Sequence, residues 1–413
     1  MAELAIGDGA AVRPQGFPPW PVWDERDVDA VADVVRSGNW GGFPEPGPNA
    51  AEFEARFAAY QGGNHGVLMA NGTVTMEVAL KALGIGWGDE VIVPALTFAA
   101  TAYAPMAAGA LPVIVDVTPE TWTIDPEQVE AAVTSRTKAV MPVHLGHQMA
   151  DMDAITRIAA KHGVAVVEDC AHAPGQQWQG KGAGCIGDFG SFSHQSSKIL
   201  TAGEGGTLLT NDDRLARLAH SIIDCGRAKD PEEKEFTFGA NYRLGELQAA
   251  LLLTQMERFE EQRKDRAAMG TYFETLAPQV EGVHIMAHDR RITRWSFYNY
   301  IFAVDPEAFA GATNGSVAAA LEAEGIPAEV QYPPMNRYDL FDPSRSRLPV
   351  AVAHAARLDT STMSFPVAEA AGLRRSIYLM ENAFRAGRDG VEDVVEALAK
   401  VQKHANELSE PAE

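Results

Sequence analysis

Short apolar runs and amphipathic stretches alternate along the first half of the chain. VIVP at 91–94 and PVIV at 112–115 carry no polar position, as expected of strands buried on both faces of a sheet. Helical patterns separate them, and the alternation continues to about residue 220. It predicts an α/β fold with a doubly wound, mainly parallel sheet. Ligands in such sheets sit beyond the C-terminal ends of the strands, where Gly72, Phe98, His144 and Asp169 fall.

Before the first strand, Pro14, Pro18 and Pro19 mark residues 1–20 as an irregular arm. Val28, Val31 and Val35 recur at helical spacing between a capping Asp24 and a terminating Gly38. Asn49 is expected to cap a second helix carrying the stripe Phe53, Phe57 and Tyr60. Beyond Asn211 comes a helix with Leu215 and Leu218, then a polar stretch, 225–246, that reads as an exposed loop. From Arg243 a long amphipathic pattern predicts one extended helix leaving the first domain, with the boundary near 263. Residues 1–262 form the large domain in this reading, and 263–413 a smaller α+β domain ending in a disordered tail, NELSEPAE.

Composition narrows the class. The chain's 413 residues are 46% hydrophobic and 22% charged, with a net charge of −22. Nucleic acid and anionic membranes are disfavoured as partners, since both need a basic face. No apolar run approaches the roughly 18 residues of a membrane span, and MAELAIGDGA lacks a signal peptide's basic start. A cytoplasmic protein is expected. Cys170, Cys185 and Cys225 show no CxxC spacing, so neither a disulfide framework nor a metal site is suggested.

Two ionisable groups stand out. The apolar strand VAVVED ends on Glu168 and Asp169, and FGSFSHQSSK runs out into Lys198, followed by the glycine-rich turn TAGEGG. A carboxylate at the end of a buried strand costs several kcal/mol unless a cation meets it. Asp169 and Lys198 either form a salt bridge or grip a cofactor between them. Pyridoxal phosphate requires this pair: a lysine to hold its aldehyde as a Schiff base, and a carboxylate to keep its ring nitrogen protonated. It also needs a phosphate cradle. GVLMANGT supplies a candidate, because a strand passes through Asn71, Gly72 and Thr73 directly into a helix whose N-terminus favours anions. The plain alternative is a strand-to-helix turn capped by Thr73.

Two further patterns resemble known motifs and are set aside. Gly182, Gly184 and Gly187 have GxGxxG spacing but precede a strand rather than open a helix. His144 and His147 form an HxxH pair without a third ligand nearby, and read as polar pocket residues.

With these elements in order, the chain resembles the DegT/DnrJ/StrS family of fold-type-I aminotransferases. The resemblance is carried by EDCAHAPG, GDFGSFSHQSSKILTAGEGGTL and GANYRLGELQAALLL. It implies a pyridoxal-phosphate enzyme, converted to the pyridoxamine form in its half-reaction. Lys198 would bind the cofactor and then move protons as base and acid. Asp169 would pair with the ring nitrogen, His172 with the ring hydroxyl, and Phe98 would stack on the ring. Gly72, Thr73 and Ser193 would hold the phosphate, completed by Asn241 of the other subunit in a homodimer with shared active sites. A dehydrating branch of the family has histidine in place of this lysine, so Lys198 favours transamination.

The acceptor is read from smaller differences. Members acting on nucleotide-linked sugars show HLYGQPADMD where this chain has HLGHQMADMD. SHQSSKILTAGEGG and YPPMNRYDLFDP are more similar to members acting on cyclitol (inosose) ketones, or making aminobenzoate units, in antibiotic pathways. The expected reaction moves an amino group from glutamine or glutamate to a cyclic polyhydroxy ketone. Amination of a nucleotide-linked keto-sugar is the alternative, with Arg227, Arg243, Arg294 and Arg337 as candidate clamps for phosphate or for the donor's carboxylate. A catalytically silent cofactor-binding scaffold and a nicotinamide oxidoreductase are the readings from other classes.

Overall fold

The computed structural model describes residues 3–42, 45–228, 238–286 and 288–408. Helices α1 (Glu25–Ser37) and α2 (Pro48–Gln61) lead into β1 (His65–Met69) and α3 (Gly72–Ala82). There follow β2 (Glu90–Pro94), α4 (Ala100–Ala108), β3 (Leu111–Val115), α5 (Pro126–Ala132), β4 (Thr137–Val140), α6 (Met152–His162) and β5 (Ala165–Asp169). Two short strands, β6 (Gln177–Trp178) and β7 (Lys181–Gly182), precede β8 (Phe189–Ser193), β9 (Gly206–Thr210) and α7 (Asp213–Ile223).

The main sheet has seven strands in the order β1-β9-β8-β5-β4-β2-β3. Only β9 runs against its neighbours, pairing antiparallel with both β1 and β8. The sheet is therefore mainly parallel, as the apolar runs predict. Its strands feed two cores by alternation: Ile92 and Val166 join the cluster under α2 and α6, while Val91, Val93 and Val167 join the one under α3 and α4. This period of two places successive side chains on opposite faces.

Helix α8 (Glu246–Leu276) runs from the first lobe into the second, and the expected boundary at 263 falls inside it. The second lobe is built on β10 (Val283–Ile285), β12 (Asn299–Val304), β13 (Ala328–Val330) and β14 (Ser376–Met380), antiparallel in the order β10-β12-β14-β13, while β11 (Ile292–Arg294) pairs with β6. The N-terminal arm lies on this lobe, where Ala5 and Val12 donate their N–H groups to Glu324 and Leu4 is fully buried. No described helix is long and apolar enough to cross a membrane.

Several local expectations are corrected. Gly47, not Asn49, caps α2, because Pro48 takes the first helical position and Asn49 is bound to Glu246. On α1 the predicted stripe is only partly buried: Val28 and Val35 are 48% and 52% exposed in this chain, and Asp27 and Val34 turn inward instead. Asp27 is held there by Arg258 of α8 at 2.8 Å, so an ion pair, not apolar spacing, orients the helix. Helix α8 begins at Glu246 rather than Arg243. The predicted tail is folded at its start, in the turn Ala405–Glu407, while 409–413 lie outside the described residues, as do 229–237 of the predicted loop.

Candidate active site

The C-terminal ends of β1, β2, β5 and β8 converge on one cavity of about 630 Å³, lined among others by Gly72, Thr73, Phe98, Asp169, His172, Ser193 and Lys198. Side chains from the second lobe, Tyr298, Tyr332 and Tyr378, close its far wall.

The cradle forms first. Helices leave their leading N–H groups without intrahelical acceptors. Asn71, not Thr73, caps α3 by accepting from the Val74 N–H at 3.0 Å, and Gly72 and Thr73, in the first turn, line the cavity. Glycine is required at 72 because a Cβ there would stand 2.8 Å from the Cβ of Ser193. Ser193 and the start of α3 thereby stand together at one end of the cavity, an arrangement suited to an anion.

Asp169 and Lys198 share the cavity but do not touch. The Asp169 carboxylate accepts from the Thr101 hydroxyl at 2.8 Å and the Ala171 N–H at 3.2 Å. The Lys198 Nζ instead rests 4.1 Å from the centre of the Tyr298 ring. Burial raises the Asp169 carboxyl above its ordinary range, and burial lowers the Lys198 amine to about 8. Each draws the other toward its charged form, and in both cases desolvation wins. A salt bridge would have reversed that order. The pair is a buried acid and a buried base held apart across a space.

His172 has a defined tautomer. Its Nδ1 accepts from the Gly146 N–H at 3.0 Å, so the proton sits on Nε2, which lies 3.4 Å from the Tyr332 hydroxyl. Burial, reinforced by Lys198, pushes this imidazole well below its usual range, keeping it neutral. Phe98 stands 44% exposed beyond β2, near Tyr332 and Tyr338.

The set-aside motifs find structural work. Glu168, which alternates to the opposite face from Asp169, accepts from the N–H groups of Gly184, Ile186 and Gly187 at 2.9, 2.8 and 2.7 Å. The glycine loop thus cradles an anion belonging to the protein itself. His144 lines the cavity and contacts Glu168 at 3.0 Å. His147 does not line it, contrary to expectation: it stacks on Tyr300 at 4.3 Å and accepts from the Ile301 N–H, joining the lobes. His144, Glu168 and Cys170 converge within 4.8 Å, but the carboxylate is filled by the loop and burial keeps the Cys170 thiol protonated.

Four arginines suggested by the sequence stay outside the cavity of their own chain. Arg227 and Arg243 bind Asp224, Arg294 donates to the Gly175 carbonyl at 2.6 Å, and Arg337 is exposed. Asn241 is also exposed and outside the cavity, bridged to Asp224 by backbone. Sequence reasoning missed Thr101 and the three tyrosines. Thr101 had a signal in its one-turn spacing from Thr97, whose hydroxyl it meets at 2.9 Å.

The residues present fit pyridoxal phosphate: a glycine-opened cradle for a phosphate, a buried carboxylate without a cationic contact for the ring nitrogen, a neutral imidazole offering N–H, and an amine with a lowered pKa. Fold and site together define a fold-type-I, pyridoxal-phosphate-dependent aminotransferase. The chain belongs to the DegT/DnrJ/EryC1/StrS aminotransferase family, whose profile matches residues 21–380. It is 39% identical, over 98% of its length and 99% of the relative's, to a Streptoalloteichus tenebrarius protein provisionally named L-glutamine:3-amino-2,3-dideoxy-scyllo-inosose aminotransferase. A second protein of that organism, L-glutamine:2-deoxy-scyllo-inosose aminotransferase, is 38% identical over 98% of this chain and 99% of its own. Among solved structures, 3-amino-5-hydroxybenzoic acid synthase superposes with a TM-score of 0.81 at 34% identity, covering 93% of this chain and 98% of that one.

Proposed function

We propose that this enzyme transfers an amino group from glutamine or glutamate to a cyclic polyhydroxy ketone of the inosose type in secondary-metabolite biosynthesis, working as a homodimer. The observation carrying the acceptor class is the cavity wall. Tyrosine and serine hydroxyls and the carboxylates of Glu77 and Glu204 line it. A neutral polyol is well served by such groups, which can donate to and accept from its hydroxyls. The names of the relatives agree with this reading.

Pyridoxal phosphate, when bound, supplies an electron sink for the carbon that loses or gains the amine. The chain's own residues do the rest. Lys198 Nζ, lowered to about 8, takes a proton from the donor's α-carbon and returns one to the acceptor. Asp169 holds the charge of the ring nitrogen, and Thr101 fixes the carboxylate's direction. His172 Nε2–H would serve the ring oxygen, Phe98 would stack on the ring, and Gly72, Thr73 and Ser193 would hold the phosphate, with Asn241 contributed by a second copy. Residues 1–262 make up the cofactor-binding unit in this proposal, and 263–413 the smaller unit bringing the tyrosine wall.

Glutamine added to the loaded protein should bleach the bound cofactor's colour, and an inosose should restore it. No change with glutamine or glutamate would favour a silent binding protein. Restoration by nucleotide keto-sugars alone would move the acceptor to the alternative class.

A further inference from the structure

Tyr298 is the residue of the second lobe that touches both Lys198 and His172. Its ring centre lies 4.1 Å from Lys198 Nζ and 4.6 Å from the centre of the His172 ring. The hydroxyl is engaged by Ser197. Ser197 Oγ donates to Gln195 Oε1 at 2.7 Å, so at its 2.8 Å contact with Tyr298 the serine accepts and the tyrosine donates. Gln195 also receives the Ser197 N–H at 2.9 Å, which fixes the amide. The phenol is thus anchored on the turn that carries Lys198, and its π-face is what the ammonium meets.

A buried ammonium needs such a contact. Asp169 faces Lys198 without reaching it, burial keeps His172 neutral, and of the other carboxylates lining the cavity Glu77 is paired with Lys81 and Glu204 is exposed, while His144 and Tyr332 complete the surroundings. The face of an aromatic ring attracts a cation, and does so more strongly in a dry site. Each catalytic cycle of a transaminase frees the lysine from the cofactor, and the freed amine must stay in place while it carries a proton.

We propose that Tyr298 is a positioning residue for Lys198: its ring is the rest on which the free, protonated amine is held over the cavity, so that the second lobe sets the lysine's position and basicity. This inference rests on Lys198 as the catalytic lysine, yet its test needs neither substrate nor cofactor. In the cofactor-free protein, the reactivity of Lys198 toward acetic anhydride is followed against pH by peptide mass spectrometry. Tyr298→Phe keeps the face and should leave the midpoint where it is in the wild type. Tyr298→Met keeps the bulk but removes the face, and should lower the midpoint by about one pH unit, a roughly tenfold change in the protonated fraction. An unmoved midpoint in Tyr298→Met overturns the proposal, as does an equal fall in Tyr298→Phe, which would assign the effect to the hydroxyl. Should Tyr298→Met fail to fold, Tyr298→Leu, which also removes the face, is measured in its place, with the same fall expected and an unmoved midpoint again overturning the proposal. A protein that passes this test but does not respond to glutamine would keep the platform and lose the aminotransferase reading instead.

Discussion

Glu168 and Asp169 are neighbours in sequence with opposite surroundings. Both are buried, at 0% and 5% exposure, at the end of β5. Glu168 is filled by three backbone N–H groups and His144, whereas Asp169 accepts from Thr101 and Ala171 and faces open cavity. The pleat separates them, so that one carboxylate is filled by the scaffold and the other is left facing the cavity.

Glu168→Gln should therefore be a stability variant. An amide brings N–H groups toward N–H groups and loses charge-assisted bonds, at a cost of about 3 kcal/mol. Urea unfolding monitored by circular dichroism should show the midpoint falling. An unchanged midpoint would mean that the glycine loop does not depend on the anion it surrounds.

Lys198→Ala should abolish turnover, lowering it by at least about 10²-fold, while the far-ultraviolet spectrum stays native. Borohydride treatment of the loaded wild type should fix the cofactor to the peptide containing Lys198. Recovery of the label on another lysine would overturn the assignment.

Asp169→Asn should still bind cofactor through the cradle and Lys198. A neutral amide cannot hold the charge of the ring nitrogen, so proton removal from the donor should slow by about 10²-fold or more. Stopped-flow absorbance with glutamine measures that step directly. Near-normal rates would remove Asp169 from its role.

Gly146→Ala is expected to weaken cofactor binding and stability together. Gly146 has φ +60°, where a side chain is strained, and a Cβ would run into Ile301 of β12. The shift needed to relieve it moves the N–H that sets the His172 tautomer. A loss of about 1–3 kcal/mol in unfolding free energy is expected, with a weaker Kd for pyridoxal phosphate. Wild-type affinity in a folded variant would show that His172 does not need this bond.

Cofactor uptake should depend on pH through Lys198. Only the neutral amine attacks an aldehyde, and burial lowers this amine to about 8. Uptake by the cofactor-free protein should climb as pH rises toward 8 and level off above it. The same lowering makes the folded state gain stability as pH rises from about 8 toward the unfolded lysine's value, because the unfolded chain then binds more protons. A rate still climbing steeply at pH 10 would mean an ordinary, unburied lysine.

Much of this was legible because of how the chain is built. Strands buried on both faces, such as VIVP, cannot carry polar residues, and a polar residue ending such a strand marks a site. Asp169 was singled out that way, Lys198 from the run that leaves the next strand, and Gly72 from the turn that opens a helix; the structure places all three around one cavity. The same reasoning misplaced Val28, Val35 and Asn49, whose settings depend on Asp27 meeting Arg258 and on Pro48 starting a helix. It could not find Tyr298, Tyr332 or Tyr378, since aromatic residues in a second lobe look like core until the lobes dock.

The amino-acid order by itself determined the strand and helix succession, the acid, the amine and the glycine that opens α3, because local periodicity and the penalty for burying charge act within a few residues. Only the tertiary structure decided that Asp169 and Lys198 face one space without pairing, that Glu168 belongs to a loop and not to the site, and that an aromatic face from the second lobe meets the lysine. Those outcomes depend on which distant surfaces come together, and long-range packing leaves no periodic trace in the chain.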